Sequence, residues 1–172
     1  MNQKMKKIIL TLIIDGYGIV SYAQSSVFDK IEKMEEVTSV VIAKDAFIMA
    51  SKFGGNSPEA KEYVEMVKGL DNLKVYTTEH AGIAKQMGDA VNSYLKTSKL
   101  SELMRVKDKD ANVKIFIKPG KDENHVSELL MFVSDMQNKG NQEAVILSLT
   151  GEIDLNKISK ITEGYIPKGG KK

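Results

Sequence analysis

Leu103-Met-Arg-Val106, Val113-Lys-Ile-Phe-Ile117, Val126-Ser-Glu-Leu-Leu-Met-Phe-Val133 and Ala144-Val-Ile-Leu-Ser-Leu-Thr150 follow one another with only a short polar stretch between each and the next. In the second of them Val113, Ile115 and Ile117 point one way and Lys114, Phe116 and Lys118 the other, the twofold period of a strand with two unlike faces. The stretches between, Lys107–Asn112, Pro119–Asn124 and Met136–Gln142, are rich in Asp, Asn and Gly, residues that form turns. Strands spaced this closely leave no room for a helical crossover. They predict a meander of four antiparallel strands, the last ended by Gly151.

Upstream the pattern changes. Leu73-Lys-Val75-Tyr-Thr77 alternates as a strand, and Thr78 then caps a long helix with Ile83, Ala84, Met87, Val91, Tyr94 and Leu95 on one side. The β-branched run from Val37 to Ile42 predicts another strand. Ala46 to Phe53 is a weaker helical stretch, ended by Gly54-Gly55-Asn56. Ser57-Pro58-Glu59 is a helix start: a capping hydroxyl, a preset φ and a carboxylate at the positive end of the dipole. Earlier still, Val27, Phe28, Ile31 and Met34 mark a short amphipathic helix with Ser25 or Ser26 as N-cap. After the meander, Asp154 caps a final helix through Leu155, Ile158 and Ile161. The first half thus alternates strand and helix. Together the halves predict an α+β fold, a single mixed sheet with helices packed on it. One domain spans residues 24–163, and Gly164–Lys172 is a tail without fixed structure.

At 172 residues the chain suffices for one well-packed domain. Its 42% hydrophobic and 28% charged residues make a globular composition. With no cysteine, a disulfide scaffold, thiolate catalysis and cysteine metal sites are excluded. The net charge of +2 resides in the first 23 residues, where Lys4, Lys6 and Lys7 outweigh Asp15; the other 149 carry 22 basic and 22 acidic groups. A neutral body with interspersed signs offers no clustered cations for a phosphate backbone, so nucleic acid is not an expected partner.

The opening segment predicts a signal peptide over residues 1–23. Lys4, Lys6 and Lys7 form a positive region, Ile8 to Ile14 a short apolar one, and Ser21-Tyr22-Ala23 presents small residues for cleavage after Ala23. Asp15 interrupts the apolar region at its end. The run is too short to remain as a membrane span, and no longer apolar run follows it. The expected location is the periplasm or the cell surface, or the medium as a secreted protein.

Six stretches, in this order, resemble an exported family of Gram-negative bacteria designated domain of unknown function 4252. They are Ser21–Ser25 closing the leader, Ser26-Val-Phe-Asp-Lys30, Val37-Thr-Ser-Val-Val41, Asp71-Asn-Leu-Lys-Val75, Ser127-Glu-Leu-Leu130 and Leu147-Ser-Leu-Thr-Gly-Glu-Ile-Asp-Leu155. The resemblance implies export and a fold. It carries no activity, cofactor or site residue onto this chain.

Residues with chemical potential are few. Asp108-Lys-Asp110-Ala-Asn112 imitates the start of a calcium loop, but Val113 stands where such a loop turns on glycine and Pro119 where it needs a bidentate glutamate. A hairpin turn explains these residues better. His80 sits at the start of the long helix, where the dipole disfavours its charged form. His125 lies beside Asp122, Glu123 and Asn124, and would share a metal with His80 only if the fold joined them. Gly54-Gly-Asn-Ser57 before a helix could face an anion but lacks the lysine of a phosphate loop. Met66, Met87, Met104 and Met131 fit core positions, with a methionine-lined groove as the alternative. No catalytic, cofactor or metal residue is assigned. The expectation is a non-enzymatic domain that binds an unknown protein or small molecule. The rivals are a hydrolase or metal-dependent enzyme built on His80, His125 and loop carboxylates, and an envelope regulatory partner that docks through a sheet edge.

Overall fold

The computed structural model describes residues 22–53, 67–108, 111–134 and 144–156, together with Lys61 and Val64. Its elements run α1 (Tyr22–Glu32), β1 (Thr38–Ala43), α2 (Lys44–Phe53), β2 (Leu70–Thr78), α3 (Ala81–Thr97), β3 (Ser101–Lys107), β4 (Asn112–Pro119), β5 (His125–Ser134) and β6 (Ala144–Asp154). The six strands form one sheet in the order β1-β2-β6-β5-β4-β3.

The fold is α+β, and the predicted meander is present: β3, β4, β5 and β6 are successive antiparallel neighbours. The sheet is not mixed, however. β1 pairs with β2 and β2 with β6, both antiparallel. The strand–helix–strand unit β2–α3–β3 does join strands of the same direction, but it carries the chain from second place to the far rim. Three strands of the meander fill the gap, so no parallel neighbours arise.

Both faces of the central strands are covered, which is why β5 reads as an almost unbroken apolar run. Leu129, Met131 and Val133 alternate onto one face with Val113, Ile115, Val145, Leu147 and Leu149. Phe47 of α2, Val67 and Leu155 pack there. Leu130 and Phe132 alternate onto the other face with Phe116, Ile146 and Tyr76. There α1 and α3 lie side by side and bury Phe28, Ile31, Met87, Val91 and Tyr94. In α3 the buried positions 87, 91 and 94 follow the four-then-three spacing of one helical face. Phe28 is fully buried at the centre of this layer, 6.1 Å from the ring of Tyr76 and 5.3 Å from that of Tyr94. Such aromatic contacts contribute about 0.5–1.5 kcal/mol each beyond their buried area.

β2 meets β6 through a bulge between Leu70 and Asn72. Opposite it Gly151 has φ 128°, a conformation that a side chain strains. A Cβ at Gly151 would lie 2.3 Å from the Gly69 carbonyl oxygen, and one at Gly69 2.3 Å from that of Glu152. The two backbones touch here, and the Glu152 N–H donates to Gly69 O at 2.7 Å.

Caps differ from expectation in two places. His80, not Thr78, is the N-cap of α3, and its Nδ1 accepts weakly from the Ile83 N–H at 3.4 Å. Thr78 stays in β2; its hydroxyl accepts from the His80 N–H and donates to Glu36 O, tying the strand end to the turn before β1. At the other end of the chain's first helix, α1 starts at Tyr22, so Ser25 and Ser26 lie inside it rather than at a cap. Asp154 does cap the turn that follows β6, accepting from the Asn156 N–H at 2.9 Å. The predicted helix start at Ser57-Pro58-Glu59, the connection Met136–Gln142, the leader up to Ser21 and the tail lie outside the described residues.

Candidate functional site

The two histidines do not meet. His80 lies just past Thr78, which is opposite Ala144, whereas His125 is opposite Asp154. Ala144 and Asp154 are ten residues apart along β6, a separation on the order of 30 Å at strand rise. The structure therefore does not assemble the His80–His125 constellation. His125 is held instead by Asp122 in its own turn, Nδ1 to Oδ1 2.7 Å, with Glu152 3.8 Å from Nε2. The hydrogen bond from His125 lowers the Asp122 carboxyl below its usual range. Among the described residues no group of three or more His, Asp or Glu is arranged to hold a metal ion.

The calcium-like stretch is a hairpin turn: Lys107 pairs with Asn112, and the Asp108 N–H donates to Ala111 O at 3.0 Å. Lys109 and Asp110 lie outside the described residues, as does the Gly54–Ser57 stretch. Met87 and Met131 are fully buried and Met104 packs against the core, so these methionines fill space in the interior; Met66 lies outside the described residues.

Sequence reasoning missed one buried polar pair. Glu128 is only 6% exposed, and the Tyr94 hydroxyl donates to its Oε1 at 2.6 Å. Burial raises the Glu128 carboxyl above its usual range, while the Tyr94 bond and the nearby Lys118 work against that rise. The Tyr94 hydroxyl is raised too, by burial first and then by its bond to Glu128. An acidic residue inside the apolar run Val126–Val133 was the available signal. With Tyr94 4% exposed, the pair has no open side for a substrate and ties α3 to β5. A second tyrosine, Tyr76, bonds Glu32 of α1 at 3.3 Å.

Described residues form two shallow depressions. One, about 580 Å³, lies between the turn before β1 and the start of α3 and includes Glu35, Glu36, Glu79 and His80. The other, about 360 Å³, runs between α1 and α3 past Met34, Lys30 and Asp89.

The rims of the sheet are more informative. β1 is Thr-Ser-Val-Val-Ile-Ala, without a charge, and five of its six residues are exposed. Val40 and Val41 are 48% and 46% exposed, one on each face. On the face of Val40, α2 adds exposed Ile48 and Met49. Among the described residues no strand pairs with the outer side of β1. A rim strand leaves alternate N–H and C=O groups unpaired and pointing outward. β3, the opposite rim, contains Glu102, Arg105 and Lys107 and a bulge between Glu102 and Met104. Its Arg105 is paired with Glu102 at 2.6 Å.

A single antiparallel sheet covered on both faces, with an uncharged rim that no other described strand pairs, defines the class: an α+β domain. The family model of the domain of unknown function DUF4252 matches residues 28–161, and the chain belongs to that family. No curated protein and no solved structure matches it.

Proposed function

We propose that the chain is an exported, non-enzymatic domain of the periplasm or cell surface that binds a protein partner by adding a strand to β1. Export is supported by the lysine-led apolar leader and its Ser21-Tyr22-Ala23 ending. No described helix is long and apolar enough to cross a membrane. The observation that carries the binding role is the uncharged, half-exposed β1 rim, since strand addition draws affinity from backbone groups and specificity from flanking side chains.

Both halves are open to test. Mass spectrometry of the protein isolated from cells should find an N-terminus at Gln24; an intact Met1 or Met5 in a cytosolic fraction refutes export. For binding, a benzophenone amino acid is placed at position 41, or at position 103 as control, and cells are irradiated. Position 41 should give a discrete adduct of higher mass and position 103 none. Absence of an adduct from position 41 refutes the binding surface.

A further inference from the structure

We infer that Glu128 and Tyr94 form a proton-operated latch that holds the last turn of α3 on the sheet, shut while Glu128 carries its proton and released when it loses it. The latch lies in the interior and does not depend on the reading of β1 as a binding surface.

Tyr94 makes both ends of the connection. Its hydroxyl donates to Glu128 Oε1 at 2.6 Å in the interior. Its carbonyl accepts from the Ser98 N–H at 2.8 Å and from the Thr97 hydroxyl at 3.1 Å, and these bonds close the last turn of α3. The buried carboxyl and the helix end are thus joined through one residue. The ring of Tyr94 is anchored against that of Phe28 in α1, 5.3 Å away, so the part left to move is Leu95–Ser98. The fold holds that turn lightly: Leu95 is only partly buried, and Lys96 and Thr97 are exposed. Ser98 Oγ is buried with no hydrogen-bond partner among the described residues, a cost that opening of the turn relieves.

Glu128 gives the turn its proton dependence. In the sheet its register partners are Lys118 of β4 and Thr150 of β6, and α3 lies over it through Tyr94. Lys118 is therefore the charged group that faces it from the sheet, and Tyr94 the titratable one from the helix. Lys96 and Lys99, at the helix end, are exposed. Lys118 and the Tyr94 bond favour the carboxylate, yet burial outweighs both and raises the carboxyl above its usual 4.5. With its proton Glu128 is neutral, and the interior holds it at little cost. Without it a charge sits beneath α3, and lifting the turn lets water reach that charge. The shut form is favoured below the ordinary value and loses that advantage as pH rises through the raised one. What the release uncovers is apolar: Leu95 packs on the layer that includes Phe116 and Leu130.

The test uses the full chain purified from cells. Because the chain has no cysteine, Ser98→Cys supplies its sole thiol, placed in the turn. Its rate of reaction with dithiodipyridine, a reagent active at acid pH, is divided by the rate for the urea-unfolded chain at the same pH. That ratio should rise at least about threefold from about pH 4.5 to about pH 7.5. Adding Glu128→Gln should make it flat. Met87→Cys, fully buried in the middle of the same helix, should be flat as well. A ratio at position 98 that does not change with pH overturns the inference. So does a rise that persists with Glu128→Gln, or an equal rise at position 87, which means that the whole domain opens. Should a variant not fold, amide exchange of the wild type decides. After correction for intrinsic rates, protection of residues 95–98 should fall with pH while that of residues 87–91 holds; a parallel change in both, or none, overturns the inference.

Discussion

Among the described residues β1 and β3 are the two rims of the one sheet, with no strand paired to their outer sides, yet only β3 carries the devices that keep a rim solitary. β3 has three charged residues and a bulge, and its exposed Leu103 lies within that bulge, between Glu102 and Met104. β1 is shorter, uncharged and regular, with a valine half exposed on each face. The architecture requires two rims but does not dictate their chemistry. A rim left apolar is a choice made in the local sequence, and it costs the folded monomer little because side chains at the rim pack on one side only. The comparison teaches where to look for function in a domain without a catalytic cluster among its described residues: at the rim that lacks protection.

The largest test of the comparison breaks the joint that carries β1. Gly151→Ala adds a Cβ at φ 128° against the Gly69 carbonyl, where β2 meets β6. It should cost about 3 kcal/mol by chemical denaturation, from strain and steric displacement together. Amide hydrogen exchange should accelerate in β1 and β2 before β3 and β4. Uniform acceleration would mean that the two rims share one cooperative unit. A smaller effect belongs to the β5 side. Tyr94→Phe leaves the buried Glu128 without its hydroxyl donor and should cost about 2 kcal/mol at neutral pH, the usual penalty for losing a partner of a buried group. The cellular adduct formed from position 41 should be unchanged in this variant, which separates the interior from the rim.

A finer prediction follows a buried charge. The smallest effect is a pH trend. Because Glu128 titrates above its ordinary 4.5 in the fold, the protonated form is favoured by folding. That contribution is present below the unfolded value and is lost as pH rises through the folded one. Wild type should therefore lose stability relative to Glu128→Gln as pH climbs from below 4.5, measured as the difference in Tm. A constant difference would show that burial does not dominate at this carboxyl.

Much of the fold was legible in the sequence. The meander could be read because each strand alternates or is wholly apolar and each connection is polar and short. α3 could be read because Met87, Val91 and Tyr94 share one helical face. The antiparallel placement of β2 could not, because strand–helix alternation specifies the direction of the returning strand but not which neighbours will be inserted between. His80 as cap, in place of Thr78, was equally hidden: both can accept from a backbone N–H, and the choice turned on Thr78 remaining in the ladder opposite Ala144. Of the candidate surface, the sequence showed the β-branched, uncharged run. It did not show that this run is a rim.

Periodicity, turn residues and charge placement are local properties, and they alone determined the class of fold and the even charge balance of residues 24–172. Strand order, the contact of Gly69 with Gly151, the burial of Glu128 beneath Tyr94 and the exposure of β1 were decided only in three dimensions. Each depends on which distant segments lie side by side, and pairing across a sheet is a long-range relation that no single stretch of chain encodes.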